Sequence, residues 1–175
     1  MITYVFNCFK REPLQKPKEP LSASVCINGY TYNLRVKRCP VYFDTLESFL
    51  CTIAWNILSF FRHKEYQLID QEGKVISRLR IMPKIFAFQF MSKNGLHIGP
   101  SYTDPEYRGK GLNPELRKIM IKNETKYNEF FTSVKTTNVA SLKANTKAGF
   151  IPFAYGSKSI FGISKIIKPY EQQNE

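Results

Sequence analysis

Two periodicities divide this chain. Apolar residues alternate with polar ones, or run in short β-rich stretches, over residues 2–9, 22–27, 30–36, 65–69, 75–81, 96–102, 130–135, 151–155 and 159–167, which predicts nine strands. Helical spacing governs three other stretches. Over 44–61, Leu46, Phe49, Leu50, Ile53, Ala54, Ile57, Leu58 and Phe61 recur every three or four positions and predict a buried face, with Asp44 and Glu47 as a capping box. Over 114–127, Leu116, Ile119, Met120 and Tyr127 mark a second stripe, with Asn113 as N-cap and Pro114 as first helical residue. A third, short helix opens at Asn138 and stops at Ala148-Gly149. Asn28-Gly29 and Asp70 to Lys74 predict hairpin turns. Phe86, Phe88 and Phe90 alternate with Ala87 and Gln89, giving an extended segment one aromatic face, either core or the wall of an apolar acceptor pocket. Three prolines between Lys10 and Pro20 predict a surface loop, and the polar tail from Lys168 predicts a frayed end. The order, mostly β and then β-α-β-α-β-β, defines an α+β (mixed α/β) domain.

Composition adds a charge to this frame. The 175 residues suit one domain, and 26 Lys and Arg against 14 Asp and Glu give a net charge of +12. Such a surplus draws anions: nucleic acid, a membrane surface or a phosphate-bearing small molecule. The four cysteines, Cys8, Cys26, Cys39 and Cys51, have neither C-x-x-C spacing nor neighbouring histidines, so no metal site is expected. With no charged-then-apolar leader, they point to a cytoplasmic setting with free, mostly buried thiols. The apolar run over 44–61 carries Glu47, Thr52, Asn56 and Ser59 and falls short of the ~20 apolar residues of a membrane span, so a core helix is expected. Trp55 belongs to the same expected core, and His63, near the helix end, is expected to complement the helix dipole.

One turn carries candidate chemistry. The strand over 96–102 enters Thr103-Asp104-Pro105-Glu106-Tyr107-Arg108-Gly109-Lys110-Gly111, and a helix follows. Glycines let backbone approach a ligand, the N–H groups of a helix start point at it, and the helix dipole favours negative charge. Arg108 and Lys110 reinforce an anion there. Alone, the turn fits either a phosphate cradle or an ordinary strand-to-helix connection.

Downstream, Asn138-Val139-Ala140-Ser141, then Asn145, then Lys147-Ala148-Gly149-Phe150 supply a second motif. Together, in this order and with a strand between them, the two motifs resemble the pyrophosphate-binding signature and the second cofactor motif of the GNAT N-acetyltransferase superfamily. The resemblance covers about the second half of the chain. It implies a GNAT-like central twisted mixed sheet flanked by helices. Residues 1–175 would form a single domain, with 1–43 a variable N-terminal strand and hairpin and 65–168 the cofactor-binding core. It implies acetyl-CoA as cosubstrate and no metal. The amides of Arg108, Gly109, Lys110, Gly111, Leu112 and Asn113 would cradle the pyrophosphate. The backbone of Tyr102 and Thr103 would pair with the pantetheine arm, Asn138 and Ser141 would face it from the other side, and Asn145 or Lys147 would lie along it. Two positions depart from the family pattern: Asn113 stands where a small residue is common, and Asn145 where many members carry the Tyr that reprotonates the departing thiolate. Asn has no titratable proton to give.

Acetyl transfer to an amine also needs a route for a proton. His97, on the strand that feeds the turn, is the candidate base, with Tyr102, Ser101 or water as alternatives. The resemblance implies a small-molecule acceptor. The surplus of Lys and Arg disfavours a basic peptide and favours an anionic amine such as an amino sugar or a nucleotide-linked amino sugar. Ile98-Gly99-Pro100 also resembles GNAT members of bacterial surface-polysaccharide synthesis. A homodimer stays open. The rival readings are a non-catalytic acyl-CoA-binding GNAT-fold protein, which Asn145 permits, and a basic nucleic-acid-binding module, for which no specific motif is present.

Overall fold

The computed structural model describes residues 4–12, 23–43, 45–159 and 163–170. Among these residues nine strands form one sheet in the order β2-β3-β4-β5-β6-β7-β1-β8-β9. They are β1 (Tyr4–Arg11), β2 (Ser24–Ile27), β3 (Tyr30–Arg38), β4 (Lys64–Ile69), β5 (Val75–Pro83), β6 (Gly95–Thr103), β7 (Glu129–Lys135), β8 (Ile151–Lys158) and β9 (Ser164–Pro169). Three helices join them: α1 (Leu46–Leu58), α2 (Leu112–Asn123) and α3 (Val139–Lys147). Neighbours pair antiparallel, with one exception. β6 and β7 are parallel and pair only over Gly95, Leu96 and His97 against Glu129, Phe130 and Phe131. Beyond His97 the two strands part, and the second half of β6 keeps only its β5 neighbour. The predicted polar loop over 10–20 and the tail beyond Tyr170 lie largely outside the described residues.

The two faces of the sheet differ because strand side chains alternate. On β4, Tyr66 and Leu68 enter the main core, and on β5 Leu79 and Ile81 do so. That face receives α2 through Leu112, Leu116, Met120 and Ile121. At the β1, β7 and β8 end, the opposite face carries a second cluster of Phe6, Cys8, Phe90, Met91, Phe131 and Ala154. At the β3–β5 end it is polar. Glu65 is fully buried there, 3.2 Å from Arg80 Nε, and it accepts from Gln67 Nε2 at 2.5 Å and from the Tyr42 hydroxyl. Gln67 Oε1 in turn accepts from Arg35 Nε at 2.8 Å.

Against this polar end α1 reverses the expected orientation. Thr52 and Asn56 are its buried residues, while Leu46, Leu50, Ile57 and Leu58 are exposed, as are Phe60 and Phe61 beyond its end. Asn56 Nδ2 donates to the Pro40 carbonyl at 3.3 Å, and its Oδ1 accepts from His63 Nδ1 at 3.0 Å. An apolar stripe turned inward would have left the Pro40 carbonyl, the Tyr42 amide and buried His63 Nδ1 without the partners that Asn56 and Thr52 give them, so the polar stripe goes in. The N-cap is Thr45, whose side chain accepts from Ser48 N at 3.0 Å; Asp44, the expected cap, lies outside the described residues.

Other expectations change for equally local reasons. His63 is fully buried, and burial together with Arg80 lowers its pKa to about 4, so it is neutral and does not complement a helix dipole. Trp55 is only half-buried, edge-on to His63 at 5.8 Å. Cys8 is buried, but Cys26 and Cys51 are exposed. The segment around Phe86, Phe88 and Phe90 folds as turns rather than an extended strand; Phe86 is exposed while Phe90 is buried. Lys168 belongs to β9, and Tyr170 just beyond it stacks on Tyr155 at 5.2 Å, so the polar tail is ordered that far. Among the described residues no helix is long and apolar enough to cross a membrane.

Candidate functional site

Beside the end of β6, past its pairing with β7, lies a cavity of about 530 Å³, within the range of small-molecule sites. Ser101, Tyr102 and Thr103 of β6 form one side, and Arg108, Gly109, Gly111, Leu112, Asn113 and Pro114 form the end. Asn138, Ala140, Ser141, Lys143, Ala144 and Lys147, from α3 and its cap, form the other side. The lining holds three cations, Arg108, Lys143 and Lys147, and no carboxylate.

The turn is anchored from several directions. Asp104 accepts from Glu106 N at 3.1 Å and opens a single 3-10 turn over Pro105–Tyr107. Lys74 reaches Asp104 at 3.1 Å and Glu106 at 3.2 Å, and its hydrogen bond holds the Asp104 carboxyl below its usual range. Tyr107 donates its hydroxyl to Asp70 at 3.1 Å, tying the turn to the β4–β5 hairpin. Asn28, from the β2–β3 hairpin, donates Nδ2 to the Lys110 carbonyl at 2.9 Å. That contact gives the N-terminal hairpin a structural role the sequence left unplaced. Gly109 and Gly111 have φ of +79° and +74°, which a side chain rarely tolerates. With a left-handed Gly111 as N-cap, α2 starts at Leu112.

Asn113 is therefore not the cap, and Pro114 is the third helical residue rather than the first. The early N–H groups of a helix lack partners in any case, so the proline costs no intrahelical bond. Freed from capping, Asn113 Oδ1 accepts from Arg117 Nε at 2.8 Å. On the facing wall Asn138 caps α3 by accepting from Ser141 N at 3.1 Å.

The structure brings together most of the residues singled out in the sequence, and separates three. Tyr102, Thr103, Arg108, Gly109, Gly111, Leu112, Asn113, Asn138, Ser141 and Lys147 line the cavity. The amide of Arg108 is already donated to the Pro105 carbonyl at 3.3 Å, so its contribution there is the guanidinium. Lys110 lies off the lining, with its ammonium 4.5 Å from the Tyr107 ring. Asn145 is fully buried behind the wall, its Nδ2 donating to the Ser141 carbonyl at 2.9 Å and its Oδ1 without a partner. His97 stands apart as well, on the opposite face of the sheet. It stacks on Phe88 at 4.2 Å and meets Phe90 edge-on, and burial, reinforced by Lys158 and Arg117, lowers its pKa to about 3. Tyr107, Lys143 and Arg117 were missed. For Arg117 a signal was present: a charge four residues after Asn113, beside Leu116 in the helical stripe.

No protein-family model matches the sequence, and no curated protein matches it. Solved structures do match its fold. A protein of the GNAT family from Novosphingobium aromaticivorans superimposes with a TM-score of 0.52 over 90% of this chain and 63% of its own, at 13% identity. A GNAT-family acetyltransferase from Colwellia psychrerythraea gives 0.52 over 89% of this chain and 55% of its own, at 14% identity. A tandem GNAT protein from the clavulanic acid biosynthesis pathway, solved without acetyl-CoA, gives 0.52 over 85% of this chain and 50% of its own, at 14% identity. The fold is thus GNAT-like: a mixed nine-stranded sheet with three helices. The chain spans between half and just under two-thirds of the length of these structures.

Proposed function

We propose that the protein is an acetyl-CoA-dependent N-acetyltransferase and that the cavity between the end of β6 and α3 holds the cosubstrate. The observation that carries the reading is the coincidence of three features in one cavity. They are a free stretch of strand edge on β6, two left-handed glycines at a helix start, and a lining with three cations and no carboxylate. A pyrophosphate on a long amide-bearing arm fits all three. N–H groups at the start of α2, with Arg108, would take the phosphates. The parted edge of β6 at Tyr102 and Thr103 would pair with the arm's amides, and Asn138 and Ser141 would close the far side. Lys143 and Lys147 add positive charge along that wall.

Bound there, acetyl-CoA supplies an acyl thioester that a neutral amine can attack, forming a C–N bond and releasing sulfur with the C–S electron pair. The chain must position the arm and provide a path for the amine proton. His97 is ill suited to that second task, because an imidazole with a pKa of about 3 is a weak base at neutral pH. Ser101 and the partly exposed Tyr102 line the cavity, and we assign proton removal to water held there. The acceptor we infer is a small anionic amine, of which an amino sugar or nucleotide-linked amino sugar is the leading class; the net charge of +12 supports it.

The test is a thermal-shift titration with acetyl-CoA and CoA, followed by a thiol-release screen across amino sugars, nucleotide sugars, polyamines and peptides. At one hundred times Kd the cosubstrate should stabilise the fold by about 2.7 kcal/mol. Release with an anionic amine completes the reading. No stabilisation by either ligand refutes it, and stabilisation without release from any amine leaves a non-catalytic acyl-CoA binder.

A further inference from the structure

Helix α2 carries a charge where its inward stripe calls for an apolar side chain. Arg117 is 3% exposed, beside the fully buried Leu116 and one helical turn after Asn113. Its Nε donates to Asn113 Oδ1 at 2.8 Å and its Nη2 to Ser101 Oγ at 3.2 Å, and both acceptors line the cavity. Its guanidinium carbon stands 5.9 Å from the centre of the Phe150 ring. Among the described residues Nη1 is buried without a partner and no carboxylate pairs with this cation. Burial pulls its pKa to about 10, which leaves it charged at neutral pH.

A lone buried cation is costly: removal from water forfeits hydration that only an anion or a full set of acceptors returns. Leu or Met at position 117 would pack against Phe150 without that cost. Two neutral oxygens, both of residues that line the cavity, satisfy only part of the guanidinium, and Nη1 is left for an acceptor that the described residues do not supply. Asn145 sharpens the point. It is buried in the wall between Ser141 and Phe150, with an unpartnered Oδ1 and no proton to give.

Resting on the acetyl-CoA reading above, we propose that Arg117, braced by Asn113 and Ser101, forms an anion subsite for the thiolate that leaves when the acyl group is transferred. In the balanced step the amine nitrogen bonds to the acyl carbon, the C–S bond breaks, and the electron pair stays on sulfur. The amine proton passes to water. The charge of Arg117 stabilises the sulfur as an anion, so transfer does not depend on a proton donor at position 145.

The experiment follows the ultraviolet absorbance of the CoA thiolate against pH, with CoA bound to the full chain. The variants are Arg117→Met, Arg117→Gln and Arg117→Lys. In the unsubstituted protein the bound thiol should ionise at a pH lower by about one unit or more than in Arg117→Met or Arg117→Gln. Arg117→Lys should recover much of that difference. Without ligand, Arg117→Met should melt at the same temperature or higher, as expected when a lone buried charge is replaced by an apolar side chain. Arg117→Gln keeps an amide donor for Ser101 and serves if Arg117→Met fails to fold. An identical thiol titration in the unsubstituted protein and the neutral variants would overturn the subsite. So would a large loss of melting temperature in those variants with the titration unmoved, which would make Arg117 a strut. Failure of the unsubstituted protein to bind CoA at all overturns the acetyl-CoA reading together with the subsite.

Discussion

Helices α1 and α2 were equally plain in the pattern of apolar positions, yet they pack in opposite senses. α2 buries Leu112, Leu116, Met120 and Ile121 against Tyr66, Leu79 and Phe130. α1 buries Thr52 and Asn56 and leaves Leu46, Leu50 and Ile57 exposed. The difference lies in the sheet. Alternation on β4 and β5 sends Tyr66, Leu68, Leu79 and Ile81 to the α2 face and Glu65 and Arg80 to the α1 side. An amphipathic helix has two stripes to offer, and the partner surface selects between them.

That contrast can be broken by substitution. The largest effect should come from Glu65→Ala, which leaves Arg80 unpaired in a buried network; breaking such a pair costs about 3–5 kcal/mol, measurable by urea unfolding. A loss below ~1 kcal/mol would mean that the polar end is wet and contributes little. Leu116→Ala on the α2 side should cost about 2–5 kcal/mol, as expected for a fully buried leucine. At the opposite extreme, Leu50→Ser on α1 should change stability by no more than about 0.5 kcal/mol. If Leu50→Ser cost as much as Leu116→Ala, the outer face of α1 would be covered in solution.

Acid should expose the same asymmetry at intermediate size. His63 titrates near 4 in the fold against an ordinary value of 6.5, so the fold favours its neutral form. Its contribution is complete above pH 6.5 and falls as pH drops toward about 4, by about 1.4 kcal/mol per pH unit at most. His97, lowered to about 3, acts in the same direction over a wider window. Unfolding free energies measured at neutral and mildly acidic pH should show this slope, and His63→Gln should remove its share while keeping an amide for Asn56. An unchanged slope in His63→Gln would place the acid sensitivity elsewhere. At the site, Gly111→Ala forces a left-handed residue to carry a side chain. It should cost about 1 kcal/mol and weaken the proposed CoA binding, read by melting temperature and by calorimetry.

The residues that line the cavity were more legible than the packing around it. Gly109, Gly111, Asn138 and Ser141 could be placed because their roles depend on local backbone: left-handed turns, a helix start, a cap. His97, Lys110 and Asn145 could not. Their surroundings are set by residues far away in sequence, such as Phe88 against His97 and Asn28 against Lys110. Arg117 showed only as an interruption in a stripe, and its meaning needed Ser101 from another strand.

By itself the sequence determined the strands, the helices, the hairpin turns and the glycine turn, since each follows from periodicity and residue conformation within a few positions. The tertiary structure alone decided which stripe of α1 faces inward, that β6 and β7 part after three paired residues, and that Arg117 is buried with no carboxylate beside it among the described residues. Those outcomes depend on the distant surface each segment meets, because burial must satisfy the polar groups of both sides at once.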